Sequence, residues 1–214
     1  MNKKKVVLMA VGSSGGHIYP AFAVAESLKD LFLKQCPKDN SLEIHFVHSG
    51  SQLGRKLLSS SPYTVHKISI GGLAVGQSFV RKIKTLFQLP IAFFKSALLI
   101  KKIKADLIFG TGGSLSFPVL MAGFFMGKKT VIWEGNTSLG LANKVLNIFV
   151  YSVFTVFPQV KGLSPKKQIW SAYPLRKQIQ QKQKLNQAKK TQDKTDQSEL
   201  NALDVRNSQA RGGY

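Results

Sequence analysis

The sequence predicts an α/β domain built on a doubly wound, mostly parallel β-sheet. Short apolar runs of strand length alternate along the chain with longer segments whose apolar residues recur at helical spacing. Two of these runs, 106–110 and 129–133, are typical of strands buried on both faces of a parallel sheet. With 43% hydrophobic residues in a chain of 214, the protein can bury a sizeable core.

The predicted elements follow in alternating order. The first helix runs from Ile18 to Leu33, because Ala21, Val24, Ala25 and Leu28 share one of its faces. Pro90 is expected to kink or break a later helix. The predicted strands lie at 5–11, 43–48, 64–70, 106–110, 129–133 and 151–157, the last of which closes the pattern, and the other helices lie at 79–103, 115–126 and 138–147.

We expect the chain to have three parts. Residues 1–160 form the predicted domain, and residues 161–180 resemble a linker. Residues 181–214 are rich in polar side chains and too poor in aliphatic ones to build a second core, so we expect a disordered tail. The first apolar run is too short for a signal peptide or a membrane span, and the single cysteine, Cys36, cannot form an intramolecular disulfide.

The charge of the chain favours an anionic partner. It has 31 Lys and Arg residues against 10 Asp and Glu, a formal net charge of +21. Nucleic acid, anionic lipid or a phosphorylated substrate would each be attracted. Nucleic acid ranks below the other two, because the sequence has no helix-turn-helix, RNP-like or zinc pattern.

Two glycine-rich turns each connect a predicted strand to a helix. They read GSSGGH at 12–17 and GTGGSLSFP at 110–118. In a parallel sheet both turns lie at the carboxyl edge, where backbone N–H groups and helix N-termini can bind phosphate. Neither turn matches the P-loop or the G-x-G-x-x-G fingerprint. The alternative is that both are simply tight turns.

His17 ends the first turn at the N-terminus of a predicted helix. The helix dipole favours a neutral imidazole there, which suits a general base. The alternative is that His17 only forms a hydrogen bond within the turn. His45, His48 and His66 lack the spacing of metal ligands and are predicted to be structural, and no metal or cofactor is predicted.

Residues 79–104 form an amphipathic stretch that is predicted to lie on a membrane surface. Gln88, Pro90 and Lys95 make it a poor membrane-spanning helix. The alternative is a core helix with a solvated basic face. The predicted membrane residues are the apolar Phe79, Ile83 and Phe87, spaced i, i+4, i+8, and the basic Arg81, Lys82, Lys84 and Lys95.

These motifs together resemble the MurG glycosyltransferases. Over roughly residues 5–177 they occur in family order and at family-like spacing. The matching segments are 12–28, 105–123, 133–158 and 173–176, which resemble the first glycine loop and helix, the second loop and helix, the end of the N-terminal domain and the interdomain linker.

The resemblance implies the N-terminal half of a GT-B enzyme, with a Rossmann-like sheet and with the C-terminal domain missing. Such an enzyme transfers N-acetylglucosamine (GlcNAc) from UDP-GlcNAc to undecaprenyl-diphospho-muramoyl-pentapeptide at the cytoplasmic face of the plasma membrane. By the same resemblance His17 is the catalytic base. The substrate-binding residues are Ser14, Gly15, Gly16, Gly112 and Gly113 toward the acceptor diphosphate, with Asn136 and Arg176 toward the donor.

The sequence departs from the family pattern at three places. The usual His-Glu-Gln-Asn is Trp133-Glu134-Gly135-Asn136, the first loop reads GSSGGH instead of GGTGGH, and Tyr173 replaces the usual Asn before Pro174. Two alternatives to a complete enzyme stay open. One is a non-catalytic module that binds lipid diphosphate and membrane and needs a separate donor-binding subunit, and the other is an inactive truncated product.

Overall fold

Parallel strand pairing organises the protein. The computed structural model describes residues 4–36, 42–71, 79–171 and 173–174, and only the backbone at 79–82 and 84. The strands are β1 (Lys5–Val11), β2 (Leu42–His48), β3 (Thr64–Lys67), β4 (Leu107–Gly110), β5 (Lys129–Glu134), β6 (Ser152–Thr155) and β7 (Gln168–Trp170). The α-helices are α1 (Gly15–Gln35), α2 (Gln52–Ser59), α3 (Phe79–Ile103), α4 (Ser116–Phe125) and α5 (Leu141–Phe149), and a 3-10 helix covers Pro165–Lys167.

The seven strands form one sheet in the order β3-β2-β1-β4-β5-β6-β7, and every pair in it is parallel. The strand order reverses between β1 and β4, where Ala10 lies opposite Gly110. In doubly wound sheets this reversal opens a crevice at the carboxyl ends of the two strands. The predicted fold class is therefore confirmed.

The core lies on both faces of the sheet, because successive side chains of a strand point to opposite faces. Met9 and Val11 pack with α1 in one cluster, which also contains Phe46. Leu8 and Ala10 pack in the other, beneath α3, α4 and α5. The helices thus cover the two faces separately, which is why β1 is buried along nearly its whole length.

The largest differences from the sequence prediction concern four elements, and one of them is β6, which ends at Thr155 and not at residue 157. The strand predicted at 64–70 ends at Lys67, because Ile68 and Ile70 leave the sheet edge to pack into the cluster beneath α3. Helix α2 was not predicted. Strand β7 extends the sheet beyond the run that was expected to close it, within the segment expected to resemble a linker.

Pro90 lies inside α3 and does not end it, so of the expected kink or break the break does not occur. A proline leaves the carbonyl four residues earlier, that of Leu86, without its helical partner. Leu86 and Pro90 are both exposed, so water can hydrate this side of the helix. Among the described residues, no helix has both the length and the apolar character needed to cross a membrane.

Candidate functional site

The two glycine turns lie side by side at the reversal of the strand order. The first follows β1 and leads into α1, and the second follows β4 and leads into α4. Because β1 and β4 are hydrogen-bonded neighbours, both turns emerge from the same carboxyl edge. The expected convergence of the two turns is confirmed, although any ligand role stays a prediction.

Glycine is required where the turns touch. Gly112 and Gly113 have φ angles of +95° and +84°, which side chains other than glycine rarely adopt. A Cβ added to Gly113 would lie 2.9 Å from the Cα of Gly12, and one added to Gly12 would overlap the His17 ring. The turns can therefore approach this closely only because neither carries a side chain at the contact.

A second set of hydrogen bonds fixes the turn after β4. The Ser116 hydroxyl donates to the carbonyl oxygens of Gly112 (2.7 Å) and Ala10 (3.2 Å), which joins the second turn to the end of β1 from within the core. The Ser114 hydroxyl donates to the carbonyl of Gly71 at 2.6 Å. The position of this turn is thus set by residues far apart in sequence.

His17 bridges the two turns. Its Nδ1 lies 2.6 Å from the carbonyl oxygen of Thr111. A carbonyl can only accept a hydrogen bond, so Nδ1 carries the proton and the neutral ring keeps its lone pair on Nε2. The side chain is half-buried. His17 therefore forms the hydrogen bond of the structural alternative and still leaves one nitrogen able to accept a proton.

The residues predicted to bind the acceptor lie at the start of α1 and in the second turn. Ser14 is the N-cap residue of α1, and Gly15 and Gly16 are its first two residues. An α-helix leaves its first N–H groups without internal partners and carries partial positive charge at this end. The site thus presents backbone donors of the kind that bind a diphosphate.

A third loop, which follows β5, joins the same edge and is organised by Glu134. This carboxylate is 3% exposed and accepts four hydrogen bonds. Oε1 accepts from the backbone N–H and side-chain amide of Asn136, and Oε2 accepts from the Gly140 N–H and from Asn143. The Asn136 amide, predicted to contact the donor, is here bonded to Glu134.

Two buried oxygens beside the second turn have no hydrogen-bond partner within the described part of the chain. They are Thr111 Oγ1 and Asn143 Oδ1. Asn143 donates through its amide nitrogen to Glu134 and to the carbonyl of Trp133, so its oxygen is left as an acceptor. The sequence prediction did not include either residue. Thr111 could have been found from its place inside the glycine turn, whereas Asn143 reaches the site only through the pairing of β4 with β5.

The departure from the family's His-Glu-Gln-Asn pattern involves two coupled positions. A Cβ on Gly135 would lie 2.5 Å from the Trp133 ring, so the tryptophan occupies the space that a side chain at position 135 would need. Trp133 is 4% exposed and contacts Tyr173 edge to face at 5.5 Å. The intervening Glu134 keeps its buried network.

We expect Gly135→Gln alone to lower the free energy of unfolding by about 1–3 kcal/mol, because the new side chain meets the Trp133 ring. In the double variant Trp133→His/Gly135→Gln the collision is absent. Denaturant unfolding of the four proteins in a double-mutant cycle should therefore give a favourable coupling of about 0.5–3 kcal/mol. Additive losses would show that the two departures are independent.

The other three histidines lie on β2 and β3. His45 Nδ1 is 2.9 Å from His66 Nε2, and His48 accepts a hydrogen bond from the Gly50 N–H. Burial, reinforced by Lys67 and Arg55, lowers the pKa of His48. Burial also lowers the pKa of His66, with smaller contributions from His45 and Lys102. Among the described residues, no group of three or more acidic, histidine or cysteine side chains could hold a metal ion.

Helix α3 exposes an apolar stripe. Phe87, Ile91, Phe94 and Leu98 recur at helical spacing and are 57–75% exposed. The opposite side of the helix, which includes Ala92, Ser96 and Ile100, is buried. The buried side and the exposed Lys95 fit a core helix with a solvated basic face, whereas the exposed apolar stripe is not part of that alternative.

The predicted membrane residues are distributed around this stripe. Ile83 and Phe87 are exposed, as is Lys95. Phe125 on α4 and Leu141 and Ile148 on α5 are exposed apolar side chains as well. The side chains of Phe79, Arg81, Lys82 and Lys84, together with Arg176 and the whole segment 181–214, lie outside the described residues.

The fold is that of one half of a GT-B glycosyltransferase, a doubly wound sheet with two glycine-rich turns side by side at its carboxyl edge. A family profile described as glycosyltransferase family 28 N-terminal domain matches residues 6–155. The chain therefore belongs to glycosyltransferase family 28, of which it contains the N-terminal domain.

Similar proteins carry one name. A protein of Bdellovibrio bacteriovorus is 35% identical over 181 residues, which are 84% of this chain and 48% of the relative. One of Thermodesulfovibrio yellowstonii is 37% identical over 174 residues, 81% of this chain and 45% of the relative. Both are named UDP-N-acetylglucosamine–N-acetylmuramyl-(pentapeptide) pyrophosphoryl-undecaprenol N-acetylglucosamine transferase. The chain spans about half the length of these curated relatives.

Solved structures agree on the fold. MurG of Acinetobacter baumannii superimposes with a TM-score of 0.65 at 24% identity, covering 79% of this chain and 46% of that one. UDP-N-acetylglucosamine 2-epimerase of Rickettsia bellii gives a TM-score of 0.52 at 12% identity, with 80% and 45% covered. The resemblance to MurG inferred from the motifs is confirmed.

Proposed function

We propose that this chain supplies the acceptor-binding half of a transferase that moves GlcNAc from UDP-GlcNAc to a lipid-linked muramoyl-pentapeptide diphosphate. The observation that carries the proposal is the meeting of the two glycine turns beneath His17. The printed names of the relatives supply the substrates. Because the chain spans only about half the length of these relatives, the activity named for the whole relatives enters here as part of the proposal.

The diphosphate of the acceptor would lie between the turns. The backbone N–H groups at the start of α1, at Gly15 and Gly16, approach it from one side, and those of Gly112 and Gly113 approach it from the other. Such donors are already oriented before the substrate arrives, so they stabilise negative charge without reorganisation.

His17 acts as the general base. Nε2 removes the proton from the attacking sugar hydroxyl while Nδ1 stays bonded to the Thr111 carbonyl, which stabilises the imidazolium that forms. The hydroxyl oxygen then displaces UDP from the anomeric carbon in a single step, which inverts the configuration. Asn136 and Arg176 are the residues proposed to contact the donor.

The apolar stripe of α3 brings the site to its lipid substrate. Aromatic and aliphatic side chains enter the acyl boundary, while Lys95 and its basic neighbours contact anionic headgroups. We place the protein peripherally on the cytoplasmic face of the plasma membrane.

The match to a domain described as N-terminal also fits a second candidate function. In it the chain is a module that binds the lipid diphosphate and the membrane, while a separate subunit binds UDP-GlcNAc. Both candidates use the same cradle, and they differ in whether the UDP-GlcNAc-binding domain belongs to the same polypeptide or to a separate subunit.

A transfer assay tests the proposal. Purified chain with a short-chain lipid acceptor and radiolabelled UDP-GlcNAc should give little or no product. Adding the C-terminal half of the Bdellovibrio relative, as a separate protein or fused after Pro174, should restore transfer. If the complemented protein binds both substrates and forms no product, the assignment to catalysis is wrong.

Reversing the charge of Lys82, Lys84 and Lys95 to glutamate should weaken sedimentation with phosphatidylglycerol vesicles by at least about tenfold, since each cation near such a surface contributes about 1 kcal/mol. The matched control is the triple reversal of Lys34, Arg55 and Lys56, which changes net charge equally on α1 and α2, on the other face of the sheet. Equal losses in both variants would mean that net charge, not the α3 surface, governs binding.

A further inference from the structure

An apolar groove lies between α3 and α4. Its volume is about 510 Å³, within the range of sites that hold small molecules. Every lining residue is apolar, and Leu86, Phe93, Met121 and Phe125 contribute to its walls. With no charged or hydrogen-bonding side chain along it, the groove can select only a hydrocarbon.

The groove begins at the second glycine turn. Phe117 and Pro118 line it and follow directly after Ser116, whose hydroxyl holds the Gly112 carbonyl. On the other wall Gln88 accepts from the Gly71 N–H at 2.8 Å, and the Gly71 carbonyl accepts from Ser114. Both walls are thus attached to the turn that is proposed to bind the diphosphate.

We infer that the groove holds the first isoprene units of the acceptor's lipid chain while the attached diphosphate occupies the cradle between the turns. This inference rests on the proposed function and adds a substrate subsite to it. Along the protein surface the glycine turn, which offers backbone N–H groups, is followed by the apolar groove. A polyprenyl diphosphate has the same order, because its anionic diphosphate is bonded directly to a hydrocarbon chain. The remainder of a long chain would continue across the exposed stripe of α3 toward the bilayer.

The subsite also accounts for apolar side chains that the fold leaves exposed to water. An open apolar groove exposes Leu86, Phe87 and Phe125 to water, which is unfavourable unless a ligand or the bilayer covers them. Covering by a chain tethered to the diphosphate requires no separate binding event. The groove would therefore raise affinity for lipid-linked acceptors over soluble sugar diphosphates with the same headgroup.

Binding of two soluble probes to the full 214-residue chain tests the inference by calorimetry. Methyl diphosphate measures the cradle alone, and farnesyl diphosphate adds three isoprene units. Each methylene group removed from water strengthens binding about fourfold, so we expect farnesyl diphosphate to bind at least about tenfold more tightly.

Variants assign that gain to the groove. Met121→Trp fills the groove. It should therefore abolish the tighter binding of farnesyl diphosphate and leave the affinity for methyl diphosphate unchanged. Leu86→Glu changes an exposed lining position that tolerates polarity, so it gives the same test if the tryptophan variant does not fold. Leu33→Trp, an exposed apolar position on α1, is the matched control and should keep the gain.

The outcomes separate the two proposals. The subsite is wrong, and the cradle is unaffected, if methyl diphosphate binds and farnesyl diphosphate binds no more tightly. The same holds if farnesyl diphosphate keeps its higher affinity in the groove variants. If neither probe binds, the cradle fails and the inference fails with it. Dihexanoyl phosphatidylglycerol, used below its micelle concentration, tests whether the groove binds membrane phospholipid instead of the acceptor's lipid chain. If it binds as tightly as farnesyl diphosphate and loses affinity in the groove variants, the groove is a phospholipid site.

Discussion

Replacing His17 with alanine is expected to lower the rate of GlcNAc transfer in the complemented enzyme by about 100- to 10,000-fold, the usual contribution of a general base. The variant loses both ring nitrogens, so it loses the proton acceptor and the bond to Thr111 together. The KM for UDP-GlcNAc should change little, because the donor does not contact this ring in the proposed arrangement. Steady-state kinetics with a short-chain acceptor measure both quantities.

The variant His17→Asn separates catalysis from structure. The asparagine amide can still donate to the Thr111 carbonyl from about the position of Nδ1, but it offers no basic nitrogen. We expect unchanged stability and acceptor binding with the same loss of turnover as in the alanine variant. Near-normal turnover in His17→Asn would mean that the histidine only joins the turns.

Replacing Gly113 with alanine should reduce pyrophosphate affinity by at least about tenfold, or about 1.4 kcal/mol. The new Cβ would lie 2.9 Å from the Cα of Gly12, well inside the roughly 3.5–4.0 Å at which two carbon atoms normally meet. Since both contacting atoms are close to the main chain, no side-chain rotation relieves the overlap and the turns must separate. Calorimetric titration of the variant with pyrophosphate measures the effect.

Gly127→Ala is the matched control for this substitution. Gly127 also has a positive φ, +66°, but a Cβ there would meet nothing within 4 Å. Both variants should lose about 1–2 kcal/mol of stability from backbone strain, and Gly113→Ala should lose more because its Cβ also overlaps Gly12. Only Gly113→Ala should weaken pyrophosphate binding. Equal pyrophosphate affinities in the two variants would show that the close approach of the turns does not matter for binding.

The parts of this site that could be predicted from sequence are local. An apolar run followed at once by glycines and then by a helical pattern specifies a strand, a turn and a helix within about 20 consecutive residues, as at β1 and α1. Two such units also imply one shared edge, since parallel strands end on the same side of a sheet. The fold class and the placement of His17 followed from these rules.

The parts that could not be predicted depend on contacts between distant residues. The bond from His17 to Thr111 spans 94 positions, and nothing near His17 indicates its partner. Asn143 enters the site only because α5 follows β5, which pairs with β4. Trp133 and Gly135 are close in sequence, but the Trp133 ring excludes a side chain at position 135 only because of the direction in which the ring points. The sequence does not specify that direction.

Short elements were missed for a related reason. Strand β7 has only three residues in a Lys- and Gln-rich segment, too few to show alternation. It is held by tertiary contacts, such as the Gln168 amide donating to Thr155 and the Trp170 indole donating to the Val156 carbonyl. Its stability comes from the sheet edge it joins and not from its own propensity.

The most direct measurement is an NMR titration of the isotopically labelled chain with pyrophosphate, following the backbone amide resonances of residues 12–17 and 111–116. If both turns bind one diphosphate, the amides of the two segments should shift together and saturate with a single dissociation constant. Shifts confined to one turn, or two different saturation curves, would contradict a shared cradle.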